Sequence, residues 1–242
     1  MDLLLLSNSR NHGQSFLAHA LEEIDGFLGD ARRLAFVPYA LRDHDGYTAI
    51  IAEALAPLGI EVVGVHTGAD PRAAVADAPA VFVGGGNTFR LLRALRTTGV
   101  FEVVRHRVTA GDLRYLGSSA GTNLTAPTLR TTNDMPIVEP PSFEAFGFVP
   151  FQINPHYLDP APDSTHMGET REQRLTEFLE ENDVPVLGIR EGGWLRVCGE
   201  TATLGGANGA RLFTRAAEPR ELAPGADVSQ LLATRPRYDS PA

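Results

Sequence analysis

Five consecutive small residues, Gly117-Ser118-Ser119-Ala120-Gly121, follow the apolar stretch Tyr115-Leu116. This is the Gly-x-Ser-x-Gly spacing of a nucleophile elbow. A serine at a tight strand-to-helix turn is held in a strained backbone conformation with its hydroxyl lifted above the sheet edge. Glycines two residues to either side let strand and helix approach closely. The helix start then faces the hydroxyl, and the amide of Ala120 is free to donate to an oxyanion. Ser119 is the expected nucleophile; Ser118 would leave the motif off-centre. A second glycine run, Gly84-Gly85-Gly86-Asn87, follows another apolar stretch. Its amides could complete the oxyanion hole, from Gly85 or Gly86, or it could be a plain strand-to-helix turn. It is neither a Walker loop nor a dinucleotide fingerprint.

A serine nucleophile needs a base, and His156 is the expected one among the chain's seven histidines. It lies in Asn154-Pro155-His156-Tyr157, just past an expected strand, where a sheet-built site would place it. His166, ahead of Met167-Gly168-Glu169, is the alternative. A histidine base needs a carboxylate to fix its tautomer. Asp134 gives the chain order Ser, Asp, His, and Glu191 gives Ser, His, Glu. The spacing leaves both open.

These residues need a scaffold. Leu3 to Ser7, Arg33 to Val37, Ile60 to Val65, Ala80 to Val83 and Leu113 to Leu116 read as short buried strands. Helices are expected over Gly13 to Leu28, Tyr47 to Leu58, Thr88 to Arg96, Val100 to Ala110 and Thr170 to Glu181. The alternation predicts an α/β fold with a mostly parallel sheet sandwiched by helices, and sites at the carboxyl ends of its strands. Residues 127–165 are proline-rich and irregular, apart from a strand over Phe151 to Asn154. Val184 to Ile189, Trp194 to Cys198, Thr201 to Leu204 and Arg211 to Thr214 add strands in the C-terminal third. Residues 219–242 read as a partly irregular tail with a short helix near Val228 to Ala233. No linker divides the 242 residues, so a single domain is expected.

Composition narrows the function classes. A formal net charge of −9 argues against nucleic acid as a partner, because phosphate contacts need clustered cations. The single cysteine, Cys198, permits no internal disulfide and no multi-cysteine zinc site. No apolar run nears the roughly 20 residues that span a bilayer, and Met1 to Leu6 lacks the features of a signal peptide. A cytoplasmic enzyme without metal or cofactor, away from membranes, is the expectation.

The chain resembles the peptidase E, or α-aspartyl dipeptidase, family. The resemblance rests on Leu6-Ser7-Asn8-Ser9, Gly84 to Phe89, Gly117 to Gly121, Thr131-Thr132-Asn133-Asp134-Met135-Pro136, Phe151 to Tyr157 and Gly168-Glu169-Thr170-Arg171-Glu172, in family order. It implies a class I glutamine amidotransferase-like fold with serine in place of the cysteine nucleophile, and a homodimer. It implies hydrolysis of dipeptides with an N-terminal aspartate through Ser119 and His156, with the residue matching either Asp134 or Glu191 as the acid. The residue before the nucleophile is usually Trp in the family; here it is Ser118, a change expected to reshape the pocket wall.

An aspartyl substrate calls for a cation that binds a carboxylate in two parallel bonds. Arg171 is the expected partner through the Thr170-Arg171-Glu172 match, although spacing alone would pair it with Glu172 or Glu177 on a solvated helix face. Arg130 is second choice, and Asn87 is expected to help bind substrate. Two competing functions remain: a cyanophycinase-like serine hydrolase of aspartyl-arginine chains, and a non-catalytic small-molecule binding module on the same fold.

Overall fold

The computed structural model describes residues 1–160, 165 and 167–240. The first strand, β1 (Asp2–Leu6), shows why the chain opens on four leucines. Leu3 and Leu5 join the core on one face of the sheet, Leu4 and Leu6 the core on the other, and all four are fully buried. A strand covered on both faces has no polar side, so the period-two alternation disappears.

The chain continues through α1 (Leu21–Leu28), β2 (Arg33–Val37), α2 (His44–Leu55), β3 (Glu61–Gly64), α3 (Pro71–Ala76), β4 (Ala80–Val83), α4 (Thr88–Thr98), α5 (Val100–Ala110), β5 (Arg114–Ser118) and the short α6 (Ala120–Asn123). After a long irregular stretch come β6 (Gln152–Tyr157), α7 (Arg171–Glu181), β7 (Val186–Arg190), β8 (Gly193–Cys198), β9 (Thr201–Gly206), β10 (Ala210–Phe213) and β11 (Arg220–Leu222). One sheet has the order β3-β2-β4-β5-β1-β8-β9, its first five strands parallel and the β8–β9 hairpin antiparallel. A separate sheet has the order β11-β10-β7-β6, with β6 and β7 parallel. The expected α/β architecture is present, and the added C-terminal strands split between the two sheets.

Several elements differ from expectation. The helix expected from Gly13 begins only at Leu21, because residues 13–17 turn back so that Leu17 N donates to Ser9 O. α3 was not expected; Asp70 caps it and Pro71 opens it, but only Val75 is buried, too little for a periodic signal. The tail is pinned rather than loose. β11 pairs with β10, a 3₁₀ turn spans Ser229–Ala233, and Arg237 and Asp183 exchange backbone hydrogen bonds of 3.2 and 2.8 Å. The largest departure concerns β6, which runs through Pro155 and His156 to Tyr157 instead of stopping at Asn154. Its pairing with β7 shifts register between Asn154 and Tyr157. Proline brings no ladder donor, and an irregularity at that point accommodates it.

Candidate active site

Ser119 joins β5 to α6 with φ 52° and ψ −109°, a conformation unfavourable for any residue with a side chain. The elbow glycine behind it is sterically obligatory: a Cβ on Gly121 would lie 2.0 Å from the carbonyl oxygen of Val83. α6 is thereby pressed onto β4, and the hydroxyl stands at the carboxyl end of the parallel sheet.

His156 Nε2 is 2.9 Å from Ser119 Oγ, and His156 Nδ1 is 2.7 Å from Glu191 Oε1. His156 also has positive φ, 52°, within β6. It sits inside the irregular strand, where the backbone re-aims the ring, rather than just beyond a strand end. Glu191 directly follows β7. An imidazole so held can take a proton from the hydroxyl as it attacks a carbonyl carbon, while the carboxylate stabilises the imidazolium.

Asp134 does not reach the histidine. Its Oδ2 accepts from Thr88 N and Thr88 Oγ1, each at 2.7 Å, and from Thr132 Oγ1 at 3.2 Å. A carboxylate at the first turn of α4 satisfies helix amides and is favoured by the helix dipole, so this residue is committed to α4 instead of the imidazole. His166, the alternative base, lies outside the described residues.

The two oxyanion candidates in the glycine run separate cleanly. Gly85 N donates to the buried hydroxyl of Tyr47 at 2.9 Å, so its amide is already taken. This corrects the expectation for Gly85; nothing in the sequence signals a partner 38 residues upstream. Gly86 lines the cleft at φ 131°, backbone that side-chain-bearing residues avoid. Among the described residues the amides of Gly86 and Ala120 donate to no protein acceptor.

The cleft, of about 950 Å³, is lined by Gly86, Ser119, Asn133, Asp134, His156 and Arg171, and also by Leu158, Arg190 and Asn208. Arg190 is saturated by Asp159 (2.6 and 2.8 Å) and Glu221 (3.0 Å), which pushes its pKa up and holds the Asp159 carboxyl below its ordinary value. Arg171 has no ion pair among the described residues. Burial, then the nearby Arg174, lowers its pKa, and Asp134 opposes the shift. The alternative cation, Arg130, is not in the cleft; it grips Asp239 through two bonds of 2.8 and 3.1 Å. Asn87 is likewise engaged, capping α4 through Arg90 N (3.0 Å) and donating to Met135 O (2.9 Å), so it is a scaffold for the cleft rather than a free ligand group. Ser118 is fully buried and bonded to Ser9 Oγ at 2.7 Å, and it does not form the pocket wall.

Comparison with known proteins relates the whole chain to peptidases. The family model described as "Peptidase family S51" matches residues 3–205. A Streptomyces coelicolor protein named "Peptidase E" is 65% identical over 240 residues, covering 99% of this chain and 98% of the relative. A Drosophila melanogaster protein named "Probable alpha-aspartyl dipeptidase" is 51% identical over 233 residues, 96% of this chain and 97% of the relative. The crystal structure of a peptidase from an acI-B1 Actinobacterium shares the fold with a TM-score of 0.66 at 17% identity, covering 94% of this chain and 96% of that one. Among the described residues, no helix is long and apolar enough to cross a membrane.

Proposed function

The chain belongs to peptidase family S51, and on that premise we propose that it is a serine dipeptidase that removes an N-terminal aspartate from Asp-Xaa dipeptides. The observation that carries the reading is the 2.9 Å separation of Ser119 Oγ and His156 Nε2, with Glu191 on the far nitrogen.

His156 takes the hydroxyl proton as Ser119 Oγ attacks the aspartyl carbonyl carbon. The amides of Gly86 and Ala120 receive the oxyanion, a role for which their free N–H groups suit them. The imidazolium, paired with Glu191, protonates the leaving amine as the C–N bond breaks. Water, deprotonated by His156, then attacks the acyl-enzyme; the ester bond to Ser119 breaks, the imidazolium returns its proton to Oγ, and aspartate leaves.

Substrate recognition follows from charge. The β-carboxylate of an N-terminal aspartate goes to Arg171, the cleft cation without an internal ion pair among the described residues. Asp134, which lines the same cleft, offers its second oxygen to the substrate's α-ammonium. This dipolar pair suits a free N-terminus carrying an acidic side chain and accounts for a negatively charged protein accepting an acidic substrate. A cytoplasmic location and a homodimer belong to the same reading, the first supported by a chain that can form no internal disulfide and the second by family resemblance alone.

The deciding experiment compares Asp-Leu with Leu-Asp for wild type and Ser119→Ala. Hydrolysis of Asp-Leu alone, abolished in a folded Ser119→Ala protein, is expected. Wild-type activity in that variant would end the mechanism. Preference for a β-linked aspartyl-arginine polymer would favour a cyanophycinase-like enzyme instead.

A further inference from the structure

The segment leaving β1 is tied to the neighbourhood of every member of the Ser–His–Glu set. Ser119 N donates to Leu6 O at 3.1 Å. Asn8 Oδ1 accepts from Gly192 N, the amide next to Glu191, at 2.8 Å. Ser7 makes the most consequential contact. Its fully buried Oγ accepts from His156 N at 2.9 Å and donates to Ile189 O at 2.8 Å, so one hydroxyl bridges β6 and β7.

That amide belongs to an unusual peptide. The Pro155–His156 unit opens on a residue at φ +52° inside a strand. Its two polar ends are held from opposite sides: the N–H by Ser7, and the Pro155 carbonyl by Asn133 Nδ2 at 2.8 Å. In an ordinary strand, successive side chains alternate strictly between faces. The positive φ and the register shift break that alternation and determine where the imidazole points. A residue with a side chain stays in this region only where its surroundings over-determine it.

We propose that Ser7 is a positioning residue for proton transfer, its buried hydroxyl fixing the Pro155–His156 peptide in the orientation that brings the imidazole to Ser119. This rests on the dipeptidase reading above. Without the hydroxyl, the His156 amide is left buried and unpartnered, and the peptide relaxes toward ordinary strand geometry. The ring then moves off the nucleophile while the substrate-binding groups Arg171 and Asp134 stay in place.

The test uses the full chain with Ser7→Ala, Ser7→Thr and, as a control, Thr125→Val. Thr125 is another fully buried hydroxyl; among the described residues its one hydrogen bond is to Thr122 O at 2.7 Å, and it does not line the cleft. Ser7→Ala is expected to lower kcat on Asp-Leu by about 10²-fold, the scale of an ångström-sized misplacement, with KM nearly unchanged. Labelling of Ser119 by a neutral fluorophosphonate should slow in parallel. The downfield proton resonance of the His156–Glu191 hydrogen bond should shift or broaden. Ser7→Thr, which keeps the hydroxyl, should restore most of the activity. Thr125→Val should lower the melting temperature and leave kcat alone. Wild-type kcat and an unmoved resonance in Ser7→Ala would overturn the proposal, as would an equal kcat loss in Thr125→Val at equal melting temperature. If Ser7→Ala does not fold, Ser7→Cys, near-isosteric with a weak acceptor, is held to the same kcat, labelling and resonance criteria. A wild type that labels at Ser119 but ignores Asp-Leu would sink the substrate assignment, and the labelling and resonance readouts would still decide the role of Ser7.

Discussion

Glu191 and His156 stand on neighbouring parallel strands, the carboxylate just past the end of β7 and the imidazole within β6, with 2.7 Å between Oε1 and Nδ1. Asp134 is occupied at the start of α4 by Thr88 and Thr132. The two acids therefore have separable roles. Glu191→Gln should reduce kcat by about 10²–10⁴-fold with little change in KM, because a neutral amide stabilises neither the required tautomer nor the imidazolium. Asp134→Asn should act chiefly on KM for Asp-Leu and on stability. Steady-state kinetics of both variants checks this; a silent Glu191→Gln beside a dead Asp134→Asn would reverse the assignment.

Arg171 should carry the preference for aspartate. Arg171→Met should lower kcat/KM for Asp-Leu by about 10²-fold, in line with the ~3 kcal/mol typical of losing one partner of a desolvated charge pair. Labelling of Ser119 by a neutral reagent should persist. Arg171→Lys should fall between, since it keeps the charge and loses the fork. Equal losses of dipeptide turnover and labelling would show that the residue supports the fold rather than the substrate.

His19 should make the protein acid-sensitive. Both ring nitrogens are buried without a hydrogen-bond partner among the described residues, and burial lowers its pKa below the ordinary 6.5. The unfolded chain then binds the proton more readily than the folded one. Stability is full above pH 6.5 and falls as the pH drops below it, down to the depressed folded-state pKa. His19→Leu should flatten the fall of melting temperature as the pH drops below 6.5. His44, also lowered, first by burial and then by the neighbouring His66, should leave a residual slope.

Two glycines should respond oppositely to alanine. A Cβ at Gly121 would meet Val83 O at 2.0 Å, so Gly121→Ala should cost about 3 kcal/mol or more. Gly26 lies within α1 and has open space where a methyl group would stand, so Gly26→Ala should stabilise by about 0.5–1 kcal/mol. Denaturant unfolding of the pair measures both.

Local patterns in the sequence carried the parts of the site built by local constraint. The elbow around Ser119 is legible because its shape depends on close neighbours, Gly117 and Gly121. The leucine run of β1 is legible because total burial demands it. The choice between Asp134 and Glu191 was not, since it depends on β6 pairing with β7 across a gap of about 30 residues, and spacing carries no trace of that. Pro155 concealed the last part of β6, because proline ordinarily argues against a continuing strand. Tyr47 filling the amide of Gly85, and Asp239 claiming Arg130, are tertiary partnerships between distant segments, and only the folded chain reveals them.

The division of the strands into two sheets has a mechanical consequence. The nucleophile is anchored to the larger sheet, whereas the imidazole and its carboxylate travel together on the smaller one. A slide of one layer over the other would part Oγ from Nε2 and leave the histidine–glutamate couple whole, but it would also break the bonds from Ser7 to β6 and β7, so proton transfer depends on a joint between layers that never touches the substrate.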